Sequence, residues 1–463
     1  SPAATRDDMW LDLIEGETRD GFGFILKGRV NDVGYQSITV PGSLKAYAEA
    51  QTEWGRLPWA DVMRPAIDEA EAGVVVRPHV YNWWTTDDQS GRVRPAERLG
   101  LSPSGRQIYF NSDGSLKRVG QRFVNPEMAY TLRHLAAHGA EDFYVGEIAG
   151  QIAQDMAANG GLLSAEDLAS YSTTHVDPLC GDYRGLNIAT NQPPGGGIML
   201  LEMLNVLECF DLAAIGHNTI EYIRIVSEAM KRATIDKDTH VGDPAFVDIP
   251  LERLTSKSYA AELARSIRAG DKAKVERLQR TIESKDTTQV SVIDEDGNAF
   301  SMTHSLGMPS GVITEGLGFM YNGCMGVFDP RPGNPDSLAP GKSRFSAMCP
   351  TMLFKEGKPF FVTGAPGGTF ITMGVLQSIL NAVEFGMDAQ QAVAAPRFCT
   401  TSDTIDVSNR ILRSVEAELK EGGYPTRRTY LSYHFAGVHA IRLVDGEWDG
   451  GADPGRDGMV LAV

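Results

Sequence analysis

The strongest chemical signal in this chain is a threonine at an abrupt change of character. Residues 270–286 are polar and charge-rich, carrying Asp271, Lys272, Lys274, Glu276, Arg277, Glu283, Lys285 and Asp286. The run that follows, Thr287-Thr288-Gln289-Val290-Ser291-Val292-Ile293, is β-branched and strand-like. A polar linker that ends where a strand begins is a place where a chain can cut itself. The Thr287 hydroxyl can attack the Asp286 carbonyl, and hydrolysis of the resulting ester frees an amine on Thr287. An α-amino group titrates at about 7.7–8.0, so much of it is neutral near physiological pH. That amine can take the proton of its own hydroxyl as the oxygen attacks an amide carbonyl, and no histidine or acid is then required.

Acyl transfer also needs donors for the developing oxyanion. Gly367 and Gly368 in Thr363-Gly364-Ala365-Pro366-Gly367-Gly368 are suitable, because their N–H groups precede a helix and no side chain blocks approach. Asp296-Gly297 is a hairpin turn signal, with Ala299 to Ser305 as the return strand. Thr303 and Ser305 are thereby expected near Thr287, the register being open. Each piece alone is weak. A threonine pair at a strand start is ordinarily β propensity, and Gly-Gly before a helix is ordinarily a turn.

The elements that must position these groups are readable in outline. The first two-thirds of the chain read as mainly helical. Helices are expected after Pro41-Gly42, over Ala60 to Ala72, over Phe143 to Ala158 up to Asn159-Gly160-Gly161, and after Ser164, which Asp167 completes as a capping box. Asn187 to Thr190 reads as a short strand. The glycine loop Pro193-Pro194-Gly195-Gly196-Gly197 then feeds a helix over Ile198 to Leu207. It lacks Gly-Lys-Ser/Thr and Gly-x-Gly-x-x-Gly spacing, so it is read as a tight turn and not a phosphate site. Later come a strand at Pro359 to Thr363, an amphipathic helix at Thr369 to Val383, and helices near Asp388 to Ala394 and Val415 to Gly422. A strand at His439 to Leu443 is followed by a Gly-Glu-Trp turn.

Composition narrows the function classes. A net charge of −17 with no strong basic run argues against nucleic acid and anionic membrane as partners. The apolar share of 42% and charged share of 22% are those of an ordinary globular protein, and no run is long and apolar enough to span a bilayer. The compartment stays open between the cytoplasm and the periplasm or exterior. Cys180, Cys209, Cys324, Cys349 and Cys399 form no Cys-x-x-Cys or Cys/His cluster. The nine histidines contain no His-Glu-x-x-His. His134 and His138 share a helix face without an evident third ligand, and His304 alternates with Thr303 and Ser305 and so faces away from them. No metal and no cofactor are expected.

Together the ordered segments resemble the γ-glutamyltransferase family, and the match runs along nearly the whole chain. It is carried by Val40-Pro41-Gly42-Ser43, Trp54-Gly55-Arg56-Leu57-Pro58-Trp59, Asp142-Phe143-Tyr144, Asn159-Gly160-Gly161-Leu162 and Gly181-Asp182-Tyr183-Arg184-Gly185. Most specific is Thr287-Thr288-Gln289 through Asp296-Gly297-Asn298-Ala299. Met348-Cys349-Pro350-Thr351, the Gly367-Gly368 loop and Ala395-Pro396-Arg397-Phe398 follow in order. The resemblance implies an α+β fold, the four-layer αββα sandwich of N-terminal-nucleophile hydrolases. It implies one intertwined domain cut between Asp286 and Thr287 into a large subunit, 1–286, and a small subunit, 287–463. Thr287 is the implied nucleophile, Gly367 and Gly368 the oxyanion hole, and Ser305 the residue assisting processing. The two fragments remain partners, and a homodimer of processed heterodimers is compatible with this. Ala4-Thr5-Arg6-Asp7 aligns well inside the large subunit, so the family's first strands and a carboxylate-binding arginine are expected before Ser1.

The departures from the family bear on the substrate. Its usual Thr-Thr-His is Thr-Thr-Gln289 here. Positions that grip the substrate's α-amine hold Gly307, Cys324 and Val327, and the usual Ser-Ser pair is Ser346 and Ala347. Without the acid there is no charge partner for a substrate ammonium. The expected activity is hydrolysis of an amide whose acyl part lacks a free α-amine, such as a dicarboxylic half-amide. Two alternatives remain open: a γ-glutamyl hydrolase or transpeptidase acting on glutathione-like compounds, and a non-catalytic member of the family.

Overall fold

The computed structural model describes residues 1–18, 23–86, 92–276, 286–431 and 434–463, with Asp286 described by its backbone alone. The 277–285 part of the polar linker lies outside the described residues. The strands that frame the site are β1 (Leu179–Tyr183), β2 (Leu186–Thr190), β3 (Asp286–Ile293), β4 (Ala299–Gly307), β5 (Thr351–Lys355), β6 (Lys358–Gly364), β7 (His439–Val444) and β8 (Glu447–Ala452). The helices that matter most are α1 (Ser43–Trp54), α2 (Gly197–Glu208) and α3 (Ile371–Glu384). The fold is α+β.

Six strands form one antiparallel sheet in the order β8-β7-β6-β5-β2-β1. Alternation puts Leu186, Ile188, Leu353 and Phe361 on one face, where they join the main core with α2 and α3. Both helices are buried around nearly their whole circumference. In α3 the buried positions run unbroken from Ile371 to Ala382, so the amphipathic helix expected there is an interior one. It begins only after a single 3-10 turn at Gly368–Phe370.

The other face of the sheet receives the β3–β4 hairpin. Ser301 Oγ donates to the carbonyl of Thr363 at 3.1 Å, and a Cβ on Gly364 would lie 2.2 Å from the Gln289 amide. Glycine at 364 is therefore what lets the hairpin seat against β6. The hairpin's outward face carries half-exposed Val290, Val292 and Phe300, and His304 there meets Tyr47 of α1 edge-on at 5.5 Å. Burial lowers the His304 pKa. His304 thus points away from the reactive groups, as its alternation predicts.

Two other expectations needed correction. Phe143 to Ala158 is two helices, Asp142–Val145 and Glu147–Ala158, because the Asp142 carboxylate caps the second by accepting from Glu147 N at 3.2 Å and Ile148 N at 3.1 Å. After β7 the turn is Asp445-Gly446, both at positive φ, and Glu447 and Trp448 belong to β8. The expected Ser164–Asp167 capping box is present. No helix among the described residues is long and apolar enough to cross a membrane.

Candidate active site

Thr287 sits at a flaw in the hairpin. Asp286 pairs with Gly307 and Thr288 pairs with His304, so one residue, Thr287, stands opposite two, Ser305 and Leu306. Such a bulge locally re-aims side chains. Here the Thr287 hydroxyl donates to Ser305 Oγ at 3.0 Å, and Ser305 Oγ also accepts from Gly307 N at 2.9 Å. The register left open by the sequence is thereby fixed. Ser305 is the hydroxyl that meets Thr287. Thr303 lies opposite Gln289 and donates to Gln289 Oε1 at 2.5 Å.

Gln289 is 7% exposed and makes full use of its amide. Its Nε2 reaches Val290 O, Ser301 Oγ and Ser291 Oγ at 3.0, 3.0 and 3.1 Å. A buried amide left unpaired would cost about 1–3 kcal/mol. The hydroxyls of Ser291, Ser301 and Thr303 avoid that cost, and together they lock the strand that carries Thr287.

The cleft around Thr287 is lined by Arg92, Ser305, Gly307, Met308, Gly323, Val327, Arg344, Ser346, Ala347, Met348, Gly368 and Ile371, and is tight, with a volume of about 20 Å³. Of the groups expected from the sequence, the structure brings Thr287, Ser305, Gly307, Val327, Ser346, Ala347 and Gly368 to this one place. Cys324 stands directly behind Gly307, its Sγ 2.7 Å from where a Gly307 Cβ would lie. Gly307 has φ of +67°, so a side chain there is excluded twice over.

Gly367 and Gly368 form the turn that starts the helical run into α3. Gly367 has φ of +141°, and a Cβ on it would lie 2.5 Å from the Ala436 backbone. Among the described residues neither amide N–H of this pair finds a backbone acceptor. Gly368 reaches the cleft, while Gly367 is buried just behind it.

The wall holding Ser346 is fixed from behind. Ser346 N donates to Pro194 O at 2.8 Å, Gly196 N to Met348 O at 3.0 Å, and Thr372 Oγ1 to Ala347 O at 3.0 Å. The glycine loop before α2 is thus a packing device for this wall, which agrees with reading it as a turn.

Sequence reasoning missed two arginines. Arg92 is held 3.4 Å from Asp32, which Arg98 also grips. Burial pushes the Asp32 carboxyl up, but Arg98 and Arg92 outweigh it and hold it below the usual range. Arg344 comes from the same segment as Ser346, two residues before it. The described residues contain no cluster of His, Cys, Asp or Glu that could hold a metal.

Comparison with known proteins gives the family. The sequence profile described as Gamma-glutamyltranspeptidase matches residues 2–463. The chain belongs to the γ-glutamyltranspeptidase family. It is 36% identical over 471 residues to the Acylase ACY 1 proenzyme of Pseudomonas sp. (strain V22), covering 100% of this chain and 81% of that protein. It is 35% identical to the Glutathione hydrolase proenzyme of Escherichia coli (strain K12), over 82% of this chain and 68% of the relative. The crystal structure of cephalosporin acylase from Bacillus halodurans superposes with a TM-score of 0.83 at 29% identity, covering 93% of this chain and 79% of that one. This γ-glutamyltranspeptidase-family chain is therefore an enzyme, a hydrolase of the autoprocessed N-terminal-nucleophile class.

Proposed function

We propose that the chain cuts itself between Asp286 and Thr287, and that Thr287 then hydrolyses an amide through an acyl-enzyme whose acyl part lacks a free α-amine. The observation that carries this reading is the Thr287–Ser305 hydroxyl pair, set in a cleft whose described lining contains no carboxylate.

In the precursor the Thr287 oxygen adds to the Asp286 carbonyl carbon, the C–N bond breaks, and water hydrolyses the ester. Ser305 holds the Thr287 hydroxyl in position. In the mature enzyme the freed α-amine takes the hydroxyl proton as the oxygen attacks the substrate carbonyl. Gly367 and Gly368 supply N–H donors to the oxyanion, a role in which each donor contributes on the order of 10²–10³ in rate. The leaving amine departs with the proton, and water then cleaves the acyl ester. Residues 1–286 and 287–463 stay together as large and small subunits, because β1 and β2 come from the first and β5 to β8 from the second within one sheet. The hairpin on one sheet face and the helices on the other support a four-layer αββα arrangement.

Val327, Ala347 and Gly307 line the cleft and Cys324 backs it, which leaves a substrate ammonium unbalanced. That favours acylase-type substrates over γ-glutamyl compounds. The Acylase ACY 1 relative supports the same choice, while the Glutathione hydrolase relative supports the γ-glutamyl alternative.

The test has two parts. N-terminal sequencing of active material should find a fragment beginning Thr-Thr-Gln-Val. Glutaryl-p-nitroanilide should be turned over faster than γ-glutamyl-p-nitroanilide, with no stimulation by a dipeptide acceptor. An uncut but active chain, or a preference for the γ-glutamyl compound with acceptor stimulation, defeats the reading.

A further inference from the structure

We propose that a large cavity adjoining the cleft at Val327 holds the acyl half of the substrate, so that the enzyme takes amides of long, uncharged alkanoyl chains. This deepens the proposed function and rests on it.

The first argument is size and place. The cleft around Thr287 has a volume of about 20 Å³, little more than a single water needs. The cavity beside it has about 760 Å³. Sites for drug-sized ligands run at about 300–1,000 Å³. Val327 lines both volumes, and Phe345 lines the cavity from between Arg344 and Ser346, which line the cleft. Thr287, Ser305 and Gly368 line the cleft alone. The two volumes thus meet at Val327 and not at the reacting groups.

The second argument decides which half of the amide enters. On the proposed reading, the first acyl group that Thr287 carries is residues 1–286, joined to its oxygen through Asp286. That chain leads back to Lys274, Val275 and Glu276, which form one wall of the cavity. The acyl side of that ester is therefore the side on which the cavity lies. The wall also outlasts the cut. Val275 N donates to Asp403 Oδ1 at 2.9 Å, Ala273 N to Glu228 Oε2 at 2.8 Å, and Lys272 Nζ to Gly422 O at 2.5 Å. Cleavage before Thr287 breaks none of these bonds. Asp403 and Gly422 belong to the 287–463 fragment, so both fragments build the chamber.

The third argument is chemical. Charged groups on the lining already have partners. Arg331 Nε and Nη2 bond the Asp329 carboxylate at 2.9 and 2.7 Å, and Lys237 pairs with Asp238. Asp336 accepts from Phe345 N at 2.8 Å. Arg331 and Lys237 also lie over the rings of Phe24 and Phe345, 4.8 and 5.1 Å from the centroids. A charge on the guest would have to break one of these arrangements. The lining otherwise offers carbon, from buried Phe24, Val241, Val275, Val327 and Phe345. An alkyl chain asks for that surface and for nothing more.

The experiment compares wild type, Thr239→Trp and Ser402→Trp. Thr239 and Ser402 line the cavity from the two fragments and do not line the cleft. Each indole takes up part of the chamber. The substrates are pentanoyl- and decanoyl-p-nitroanilide, and pentanoyl-7-amido-4-methylcoumarin, which has the larger amine. Wild-type kcat/KM for decanoyl should exceed that for pentanoyl at least ~10-fold, since each methylene taken from water is worth roughly fourfold. Each variant should lower that ratio by about 10-fold and leave the coumarin-to-anilide ratio as it was. Calorimetry should show decanoate binding wild type more tightly than pentanoate, an advantage lost in both variants. Intact mass confirms that each variant has matured. A wild type indifferent to chain length, or a decanoyl-to-pentanoyl ratio unmoved in both matured variants, overturns the proposal. So does a variant that lowers only the coumarin-to-anilide ratio, since the cavity would then hold the amine half. None of these outcomes touches the hydrolase reading. An uncut wild type that turns over no anilide defeats that reading, and decanoate binding with its loss in the variants still judges the cavity.

Discussion

The β3–β4 hairpin and the segment Arg344–Met348 border the same cleft but are held in opposite ways. In the hairpin the side chains hold one another: Thr287 to Ser305, Thr303 to Gln289, Gln289 to Ser291 and Ser301. In the segment the backbone is held from behind, by Pro194, Gly196 and Thr372, and the side chains of Arg344 and Ser346 are left almost uncommitted. A change in the hairpin disturbs several partners at once. A change in the segment can alter which acyl group is accepted without disturbing the wall itself. On the proposed function, reactivity sits in the mutually bonded region and selection in the loosely committed one. Hairpin variants should therefore act on self-cleavage and kcat, whereas variants of the segment's side chains should act on KM.

The largest expected effect is that of Thr287→Ala. On the proposed reading it removes both the oxygen that breaks the Asp286–Thr287 bond and the nucleophile of turnover. Intact mass should show a single uncut chain, and anilide hydrolysis should fall by roughly three orders of magnitude or more. Cleavage at the same bond in this variant would require another nucleophile and would dissolve the contrast between the two regions.

Ser305→Ala comes next. Thr287 keeps its oxygen but loses the partner that positions it, and Gly307 N loses its acceptor. The rate of self-cleavage, followed by gel after refolding, should drop on the order of 10²-fold. KM for glutaryl-p-nitroanilide should stay near the wild-type value, because Ser305 contacts Thr287 and holds its hydroxyl, and the reading gives it no contact with the acyl chain. A change in KM alone would move Ser305 into the selecting region.

How much of this was legible follows the same division. The junction at Thr287, the Asp296-Gly297 turn and the glycines at 367 and 368 carry local signals of propensity and turn chemistry, and each was found. The pairing of Ser305 and not Thr303 with Thr287 was not readable, because a two-residue shift in register depends on how Gly364 admits Gln289, a contact between residues 75 positions apart in the chain. The interior character of α3 was hidden for a related reason. Burial on all sides is decided by α2 and the sheet, not by the helix's own period. Arg344 gave the weakest signal of all. A single arginine in an extended stretch is ordinarily a surface residue, and only its neighbours in space mark it out. The two-helix form of Phe143 to Ala158 depends on the Asp142 carboxylate reaching forward to cap, which periodicity does not register.

The smallest expected effect separates Thr303 from Ser305. Both hydroxyls lie on β4, two residues apart, yet Thr303 spends its donor on Gln289 Oε1. Thr303→Val keeps the shape and removes that donor, so one acceptor of a buried amide goes unpaired at a cost of about 1 kcal/mol. The loss is best measured by urea unfolding in the uncut Thr287→Ala background, where a single polypeptide reports on the hairpin. In the otherwise wild-type chain, self-cleavage should slow only a few-fold, since Thr287 still has Ser305. If Thr303→Val instead slows cleavage as much as Ser305→Ala does, Thr303 acts on the nucleophile itself. The register that sets the two hydroxyls apart would then not be the one in which the bond breaks.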